Sequence, residues 1–185
     1  MKPVERREIV DFETYQDERP QYRARVMELK APRRVHVGEH LTFLFENHET
    51  IRYQVQEMVL AERIVRESDI QHELATYNEL LGGPGELGAS LLIEIDDPRE
   101  RGEKLRRWTS LPATVYARLE DGTLVRPEFD PRQIDDGKLS SVHYVKFRTG
   151  GRVPVAIGCE LPDIAAETVL DEQQRRALAE DLASH

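Results

Sequence analysis

Five polar side chains in one stretch of the chain are of the types that bind metal ions. Glu57 and Glu62 lie in one predicted helix, and Asp69, His72 and Glu73 lie in the next. Residues three or four apart meet on a helix surface, so two such helices packed antiparallel would bring these side chains together. Carboxylate oxygens with one imidazole suit iron or manganese. The pattern therefore predicts a metal site formed by Glu57, Glu62, His72 and Glu73, while Asp69, at a helix start, is better placed as a cap.

The same side chains allow two other interpretations. In the first, the carboxylates make internal hydrogen bonds to arginine and tyrosine side chains, as buried polar groups generally do. In the second, Glu57 or Glu62 is a general base beside Tyr77, with a pKa set by burial. A dimetal bundle carries two Glu-x-x-His repeats, and this chain offers only Asp69-Ile70-Gln71-His72. The metal interpretation and the structural one therefore both stay open.

The helix that carries Glu62 is predicted over residues 50–66. Apolar residues recur about every 100° around it and form a stripe of Ile51, Val55, Met58 and Val65. Glu62 lies in the middle of this stripe, so the pattern predicts that its side chain is mostly buried. A second helix is predicted over residues 70–81, and together the two form a helical hairpin at about residues 50–81.

Two further motifs favour a structural role over a catalytic one. Residues 82–88 are rich in glycine but precede a strand, whereas phosphate loops follow a strand and open a helix. The segment therefore predicts close backbone packing, with Glu86 capping a neighbour. Cys159 is the only cysteine and lies in an apolar stretch, which predicts a buried, unreactive thiol. One cysteine forms no internal disulfide and no cysteine-based metal cluster.

The composition excludes some partners and compartments. The chain of 185 residues carries 35 acidic and 26 basic side chains, a net charge of −9. An acidic field repels a phosphate backbone, so nucleic-acid binding is not expected. No stretch approaches the roughly 18 consecutive apolar residues of a membrane span, and no apolar signal segment opens the chain. We therefore expect a cytoplasmic protein that does not enter the membrane.

The bases cluster early in the chain, and we interpret them as the solvated face of a helix rather than an anion-binding patch. They are Arg19, Arg23, Arg25, Lys30, Arg33 and Arg34. The helix that carries most of them is predicted over residues 11–30, with a break near Pro20. A second terminal helix is predicted over residues 170–182.

The remaining elements are mostly strands joined by short turns. They are expected at residues 34–37, 41–46, 89–95, 113–120, 123–128, 141–147 and 152–160, with a short helix at about residues 98–108. Asp121-Gly122 predicts a tight hairpin, and Gly150-Gly151 is expected to place residues 141–147 beside residues 152–160. Short turns join antiparallel strands. We therefore predict one α+β domain over residues 1–185, with a mainly antiparallel curved sheet or half-barrel, an inserted helical hairpin and terminal helices.

Several segments together resemble one bacterial family of unknown function, over most of the chain. They are Arg19-Pro20-x-Tyr22-Arg23, Leu41-Thr42-Phe43-Leu44-Phe45-Glu46-Asn47, Tyr53-Gln54-x-Gln56-Glu57-Met58, Glu62-Arg63-Ile64, Glu73-Leu74-x-x-Tyr77-Asn78, Pro84-Gly85-Glu86-Leu87, Phe129-Asp130-x-x-Gln133 and Val142-x-Tyr144-x-x-Phe147. Genes of this family often lie near those for rubrerythrin-like proteins and iron–sulfur oxidoreductases. The resemblance thus implies a setting in redox or peroxide metabolism, but it names no reaction. Besides the predicted ligands, the candidate site residues in these segments are Gln54, Gln56, Arg63, Tyr77, Asn78 and Glu86.

Three functions are compatible with these observations, one of which is the small-molecule enzyme with Glu57 or Glu62 as a general base beside Tyr77. The first is an accessory or interaction protein that uses the helical hairpin and the sheet face to bind a redox partner or a second copy of itself. The alternative is a metal-binding protein or oxidoreductase that holds iron or manganese on the carboxylates of the hairpin. The sequence leaves open whether the protein is an enzyme.

Overall fold

A computed structural model describes residues 1–131, 134–135 and 137–184; Gln133, part of one resembling segment, lies outside them. Its helices are α1 (Phe12–Lys30), α2 (His48–Ala61), α3 (Glu67–Asn78), α4 (Pro98–Arg107), α5 (Leu111–Thr114) and α6 (Glu172–Ala183). Its strands are β1 (Arg34–Val37), β2 (Leu41–Phe45), β3 (Glu86–Ile93), β4 (Val115–Arg118), β5 (Leu124–Val125), β6 (Pro127–Phe129), β7 (Ile134–Asp135), β8 (Lys138–Leu139), β9 (Val142–Arg148), β10 (Ala156–Cys159) and β11 (Ala166–Val169).

The strands form antiparallel sheets, which confirms the predicted α+β architecture. One sheet has five strands in the order β1-β2-β3-β9-β6, and a second has four strands in the order β11-β10-β4-β5. Strands β7 and β8 form a separate ribbon. The hairpins β1–β2 and β4–β5 are present at the predicted turns. The sequence patterns therefore identified the class of fold. They predicted one curved sheet, whereas the strands are divided among separate sheets.

The prediction that residues 141–147 lie beside residues 152–160 is wrong. Strand β9 pairs with β3 and β6, whereas β10 pairs with β4 and β11. Gly150 and Gly151 do turn the chain, with φ of +65° and +78°. Beyond them, the Val155 amide donates a hydrogen bond to the Arg118 carbonyl at 2.8 Å. The chain that leaves the turn is therefore directed to β4 in the other sheet.

Helix α1 is continuous through Pro20, so the predicted break is wrong. Asp11 caps the helix, and its side chain accepts a hydrogen bond from the Thr14 amide at 2.9 Å. Proline removes one amide donor from the helix. Tyr15 and Val26 are buried on either side of Pro20, and this packing holds the two halves in one helix.

The predicted helical hairpin is present as α2 and α3, with each helix shifted a few residues toward the N-terminus. Asn47 caps α2, because its side chain accepts a hydrogen bond from the Thr50 amide at 3.0 Å. The N-cap of α3 is Arg66, without a side-chain hydrogen bond. Asp69 therefore lies inside the first turn of α3, and the prediction that it caps the helix is wrong.

Two apolar cores hold these elements together. The sandwich core contains side chains from both sheets and from α6, including Phe43, Phe147, Ile157 and Leu178. The helical core lies between α2 and α3 and contains Ile51, Val55, Val59, Ile70 and Leu74, together with Val4 and Ile9 from the start of the chain.

Cys159 lies in the sandwich core, as predicted, and its slow reaction with thiol reagents stays a prediction. Among the described residues, no helix combines the length and hydrophobicity needed to cross a membrane.

Candidate functional site

Glu62 is exposed at the end of α2, so the prediction that it is buried is wrong. Helix α2 ends at Ala61, and Arg63 adopts a left-handed conformation with a φ of +50°. The Ile64 amide donates to the Val59 carbonyl at 3.0 Å, and the Arg63 amide donates to the Leu60 carbonyl at 3.2 Å. These bonds form a Schellman motif, in which the chain turns back and Ile64 packs against the helix it has left. The spacing of apolar residues continues to Val65 in the sequence, but the helix ends at Ala61.

Glu57 is bound to α1 and not to α3. Its carboxylate accepts two hydrogen bonds from the Arg19 guanidinium, both at 2.8 Å, and a third from the Tyr15 hydroxyl at 2.6 Å. The Arg19 guanidinium, opposed in part by burial, holds the pKa of Glu57 below its usual range. Glu57 is therefore an ionised anchor between α1 and α2, as the hydrogen-bonding interpretation expects.

Gln56 and Asn78 hold the start of the chain against the helical hairpin. We call residues 1–10 the N-terminal strap. The Gln56 side chain donates to the Val10 carbonyl at 2.9 Å and accepts from the Val10 amide at 3.1 Å. The Asn78 side chain does the same to Val4, at 3.0 and 2.8 Å. Each side-chain amide thus bonds both the N–H and the C=O of one strap residue, as a neighbouring strand would do in a sheet.

Three of the four predicted metal ligands line one shallow depression. Glu62, His72 and Glu73 border an open volume of about 490 Å³ between the end of α2 and the start of α3. Glu57 does not line it, because it is paired with Arg19. Within the described part of the chain, no group of three or more histidine, cysteine or carboxylate side chains is arranged to hold a metal ion. The predicted ligand set is therefore not brought together.

The remaining candidate residues are spread over the hairpin and the loop that follows it. Tyr77 packs against the helical core, Gln54 is half-buried on α2, and Arg63 is exposed at the Schellman turn. Glu86 accepts a hydrogen bond from the Gly83 amide at 3.0 Å and pairs with Arg148 at 2.9 Å.

Close backbone packing of the glycine segment, which the sequence predicted, is also present. A side chain at Gly88 would place its Cβ 2.0 Å from the Leu80 carbonyl oxygen.

A network of buried polar side chains joins β2, α2 and β3, and no sequence motif pointed to it as a group. The Glu46 carboxylate accepts hydrogen bonds from Thr50 at 2.5 Å and from Ser90 at 2.6 Å. Nearby, the Arg33 guanidinium binds the Asp181 carboxylate of α6 at 2.8 and 2.9 Å. Arg33 is only 5% exposed, so the interpretation of the basic cluster as a solvated face is wrong for this residue.

The outer face of the five-stranded sheet carries exposed apolar side chains. Val142 is 37% exposed and Tyr144 is 39% exposed, and they alternate along β9 with the buried His143 and Val145. Leu92 on β3 lies directly opposite Val142 in the strand register. Together with Leu80, which shares a groove with Tyr144, these residues form what we call the apolar strip: Leu80, Leu92, Val142 and Tyr144.

The groove at one end of the apolar strip is acidic. It has a volume of about 360 Å³ and lies between the end of α3 and strands β6 and β9. Among the described residues, its lining includes the carboxylates of Glu79, Glu128 and Asp130 and the ammonium group of Lys146. The Glu128 carboxylate is also 2.9 Å from the Arg148 guanidinium. An apolar surface that ends in an acidic groove fits a ligand that carries both apolar and basic groups.

Comparisons with known proteins give this architecture a family but no activity. A crystal structure of a protein of unknown function from Burkholderia pseudomallei K96243 superposes with a TM-score of 0.90 at 33% sequence identity, over 98% of this chain and 100% of that chain. No curated protein matches the sequence. The sequence model of the family described as "Protein of unknown function (DUF3501)" matches residues 3–182. This chain therefore belongs to the DUF3501 family.

Proposed function

We propose that this protein is an accessory interaction protein whose apolar strip binds a partner protein. The observation that carries the proposal is the side-by-side exposure of Val142 and Tyr144 on one strand of a sheet. One face of an antiparallel sheet usually faces the core and the other carries polar groups. Clustered apolar side chains on the outer face are typical of interaction sites.

The acidic groove indicates which kinds of side chain the partner segment carries. The described residues that line it include the carboxylates of Glu79, Glu128 and Asp130 and the ammonium group of Lys146, beside Leu80 and Tyr144. Complementary charge guides association and fixes the register of the complex. We therefore propose a partner segment in which an aliphatic or aromatic side chain is flanked by lysine or arginine.

The setting that we propose is the cytoplasm, in redox or peroxide metabolism, because the resemblance to a redox-associated family implies it. This assignment is separate from the binding surface. It is tested by the identity of the partner, whereas the surface is tested by substitutions in the strip.

Selection of phage-displayed random peptides on the full chain tests the partner chemistry. We expect the enriched peptides to combine an aromatic or aliphatic residue with lysine or arginine. Fluorescence anisotropy of one such peptide should show binding weakened about tenfold or more by Val142→Asp. The matched control is Val169→Asp, which places the same charge at a valine that is 69% exposed on β11 in the other sheet. Enrichment without basic residues, or equal effects of the two substitutions, would contradict the proposal.

A second copy of the chain is the competing occupant of the strip. Sedimentation velocity over a range of concentrations distinguishes it from a different protein. A dimer that Val142→Asp dissociates and Val169→Asp leaves intact would assign the strip to self-association and overturn the basic-peptide proposal.

The alternative of an iron or manganese protein requires a different arrangement of the hairpin. Glu57 would have to leave Arg19, and Glu62, His72 and Glu73 would have to converge on one point. The carboxylates and the imidazole suit these metals by type, but their placement does not favour a shared ion. Elemental analysis of the purified protein tests this alternative, and stoichiometric iron or manganese would support it.

A further inference from the structure

His48 lies where the N-terminal strap crosses the start of α2, and both of its ring nitrogens face acceptors. Nδ1 is 3.0 Å from the Lys2 carbonyl oxygen, and Nε2 is 2.9 Å from the Glu8 carboxylate. A carbonyl oxygen has no proton to donate. Partial burial acts to raise the pKa of the Glu8 carboxyl, but hydrogen bonds from the Glu5 amide and His48 lower it below its usual value, so Glu8 is a carboxylate.

The two contacts of His48 require a proton on each ring nitrogen. A neutral imidazole carries one N–H group and can donate only one of these two hydrogen bonds, whereas an imidazolium donates both. Imidazole is also the side chain that ordinarily changes its charge between about pH 5 and pH 8. Loss of the second proton would leave one strap oxygen facing a nitrogen lone pair.

The charged side chains around His48 keep their charge over this interval. The strap contributes Glu8 and Lys2, α2 contributes Glu49 and Arg52, and α1 contributes Arg25, which lies 3.9 Å from Glu49. Arg52 donates to the Glu8 carbonyl at 3.1 Å, and its guanidinium lies 3.9 Å from the Glu49 carboxylate. Side-chain carboxylates, the lysine ammonium and guanidinium groups keep their charge near neutral pH. The imidazole is therefore the contact between the strap and α2 whose two hydrogen bonds depend on its protonation.

The Met1 ammonium is a second strap group whose charge depends on pH. It donates a hydrogen bond to the Gly82 carbonyl at 2.7 Å, outside α2, and burial lowers its pKa. The loss of its charge adds a separate contribution to the opening of the strap.

We propose that protonated His48 holds the N-terminal strap closed over the helical hairpin, and that loss of this proton releases the strap. Release would uncover apolar surface, because Val4 and Ile9 of the strap are each 3% exposed and pack with Ile51 and Leu74. The strap is thus a pH-operated cover for the helical core. This device involves different residues from the apolar strip and does not depend on the proposed partner.

Limited proteolysis of the full chain tests the proposal, because trypsin cleaves the Arg6–Arg7 bond of the strap only when the strap is open. The cleavage rate is divided at each pH by that of a synthetic peptide of residues 1–12, which removes the pH dependence of trypsin itself. Between about pH 5.5 and pH 8 the normalised rate should rise roughly tenfold to a hundredfold, the effect of losing one charge-assisted hydrogen bond.

Three variants separate the clamp from a general effect of pH. His48→Arg keeps two donors and a fixed charge, so the strap should stay closed at both pH values. His48→Gln lacks the imidazole and should lose most of the pH response, keeping only the part that comes from the Met1 ammonium. The matched control is His72→Gln, at an exposed histidine of α3, which should respond like the original protein.

A normalised rate that is the same at both pH values would overturn the proposal, and so would a pH response in His48→Gln as large as that of the original protein. If circular dichroism shows that His48→Gln does not fold, the His48→Arg variant alone tests the proposal. A folded His48→Arg protein with an unchanged pH response overturns the clamp, and one that resists trypsin at both pH values supports it.

Discussion

The sandwich core and the helical core are closed in different ways. The sandwich core is bounded by two sheets whose strands are joined by continuous backbone ladders, such as the seven-residue register between β3 and β9. The helical core is covered along one side by the N-terminal strap, whose backbone is paired with the side chains of Gln56 and Asn78. Ladders distribute stability over many equivalent bonds, whereas the strap depends on a few side chains. Local opening should therefore begin at the helical core.

The largest expected effect is in the sandwich core. Phe43 is fully buried, and its ring centroid lies 6.3 Å from that of Phe147. Phe43→Ala removes this contact and leaves a cavity, so the free energy of unfolding should fall by about 3–5 kcal/mol. Urea denaturation followed by circular dichroism measures it. A loss below about 1 kcal/mol would show that the sandwich core is not the main source of stability.

The next effect concerns the strap. Asn78→Ala leaves the amide and the carbonyl of Val4 without the side-chain partner that they have now, at a cost of about 1–3 kcal/mol. We expect faster hydrogen exchange at Val4, with the exchange of β3 and β9 amides unchanged. The matched control is Gln71→Ala, at an exposed residue of the same helix, which should leave Val4 exchange as it is. Equal acceleration in both helices and both sheets would mean that the two cores open together.

A pH effect should distinguish the sandwich core from the strap. His143 is fully buried, donates to the Ser140 carbonyl at 3.0 Å, and has no hydrogen-bond partner for Nδ1 among the described residues. Burial lowers the pKa of His143, so the folded protein resists a proton that the unfolded chain accepts below about pH 6.5. Stability should therefore fall as the pH falls below about 6.5, by at most about 1.4 kcal/mol per pH unit from this group.

His143→Leu removes that titration without adding a new one. Denaturation at several pH values between about 5 and 7 should give a shallower fall in stability for the variant than for the original protein. Identical slopes would show that His143 accepts its proton in the folded state. The direction is opposite to that at His48, where a proton strengthens the closed strap.

Local signals in the sequence were enough to locate most elements. The short helix predicted at about residues 98–108 is present as α4, and the Asp97 side chain accepts hydrogen bonds from the first amides of that helix. The Asp121-Gly122 turn was likewise identified correctly. In each case the residues that determine the structure lie within a few positions of one another, so a short stretch of sequence is enough to predict it.

Long-range contacts account for what the sequence did not reveal. Arg33 and Asp181 are 148 residues apart and form a buried pair, which no periodicity in either segment predicts. The placement of β9 and β10 in different sheets also depends on long-range contacts. The turn between them allows the two strands to pair with each other or to join separate sheets. Gln56 and Asn78 were singled out by resemblance, but their partners in the strap were not, because side-chain to backbone contacts leave no pattern.

The smallest expected effect compares Glu57 of α2 with Glu62 at its C-cap, whose surroundings differ although the sequence predicted both as metal ligands. Glu57 is held by Arg19 and Tyr15, whereas Glu62 is exposed at the C-cap, where the left-handed turn at Arg63 ends the helix. The apolar stripe that placed Glu62 in its middle assumed that the helix continued to residue 66. A carboxylate at this end of the helix also faces the negative end of the helix dipole, so its charge does not stabilise α2.

Glu62→Gln should therefore change the free energy of unfolding by no more than about 0.5 kcal/mol, as most exposed substitutions do. Glu57→Gln is the matched variant, and it should cost about 1 kcal/mol, because a neutral amide forms a weaker pair with the partly exposed Arg19. Urea denaturation at low salt compares the two directly. A loss for Glu62→Gln that equals the loss for Glu57→Gln would contradict the exposed position of Glu62. If that loss were accompanied by release of iron or manganese in elemental analysis, the carboxylates of the hairpin would converge on a metal after all, and the interaction surface would no longer be the best account of the protein.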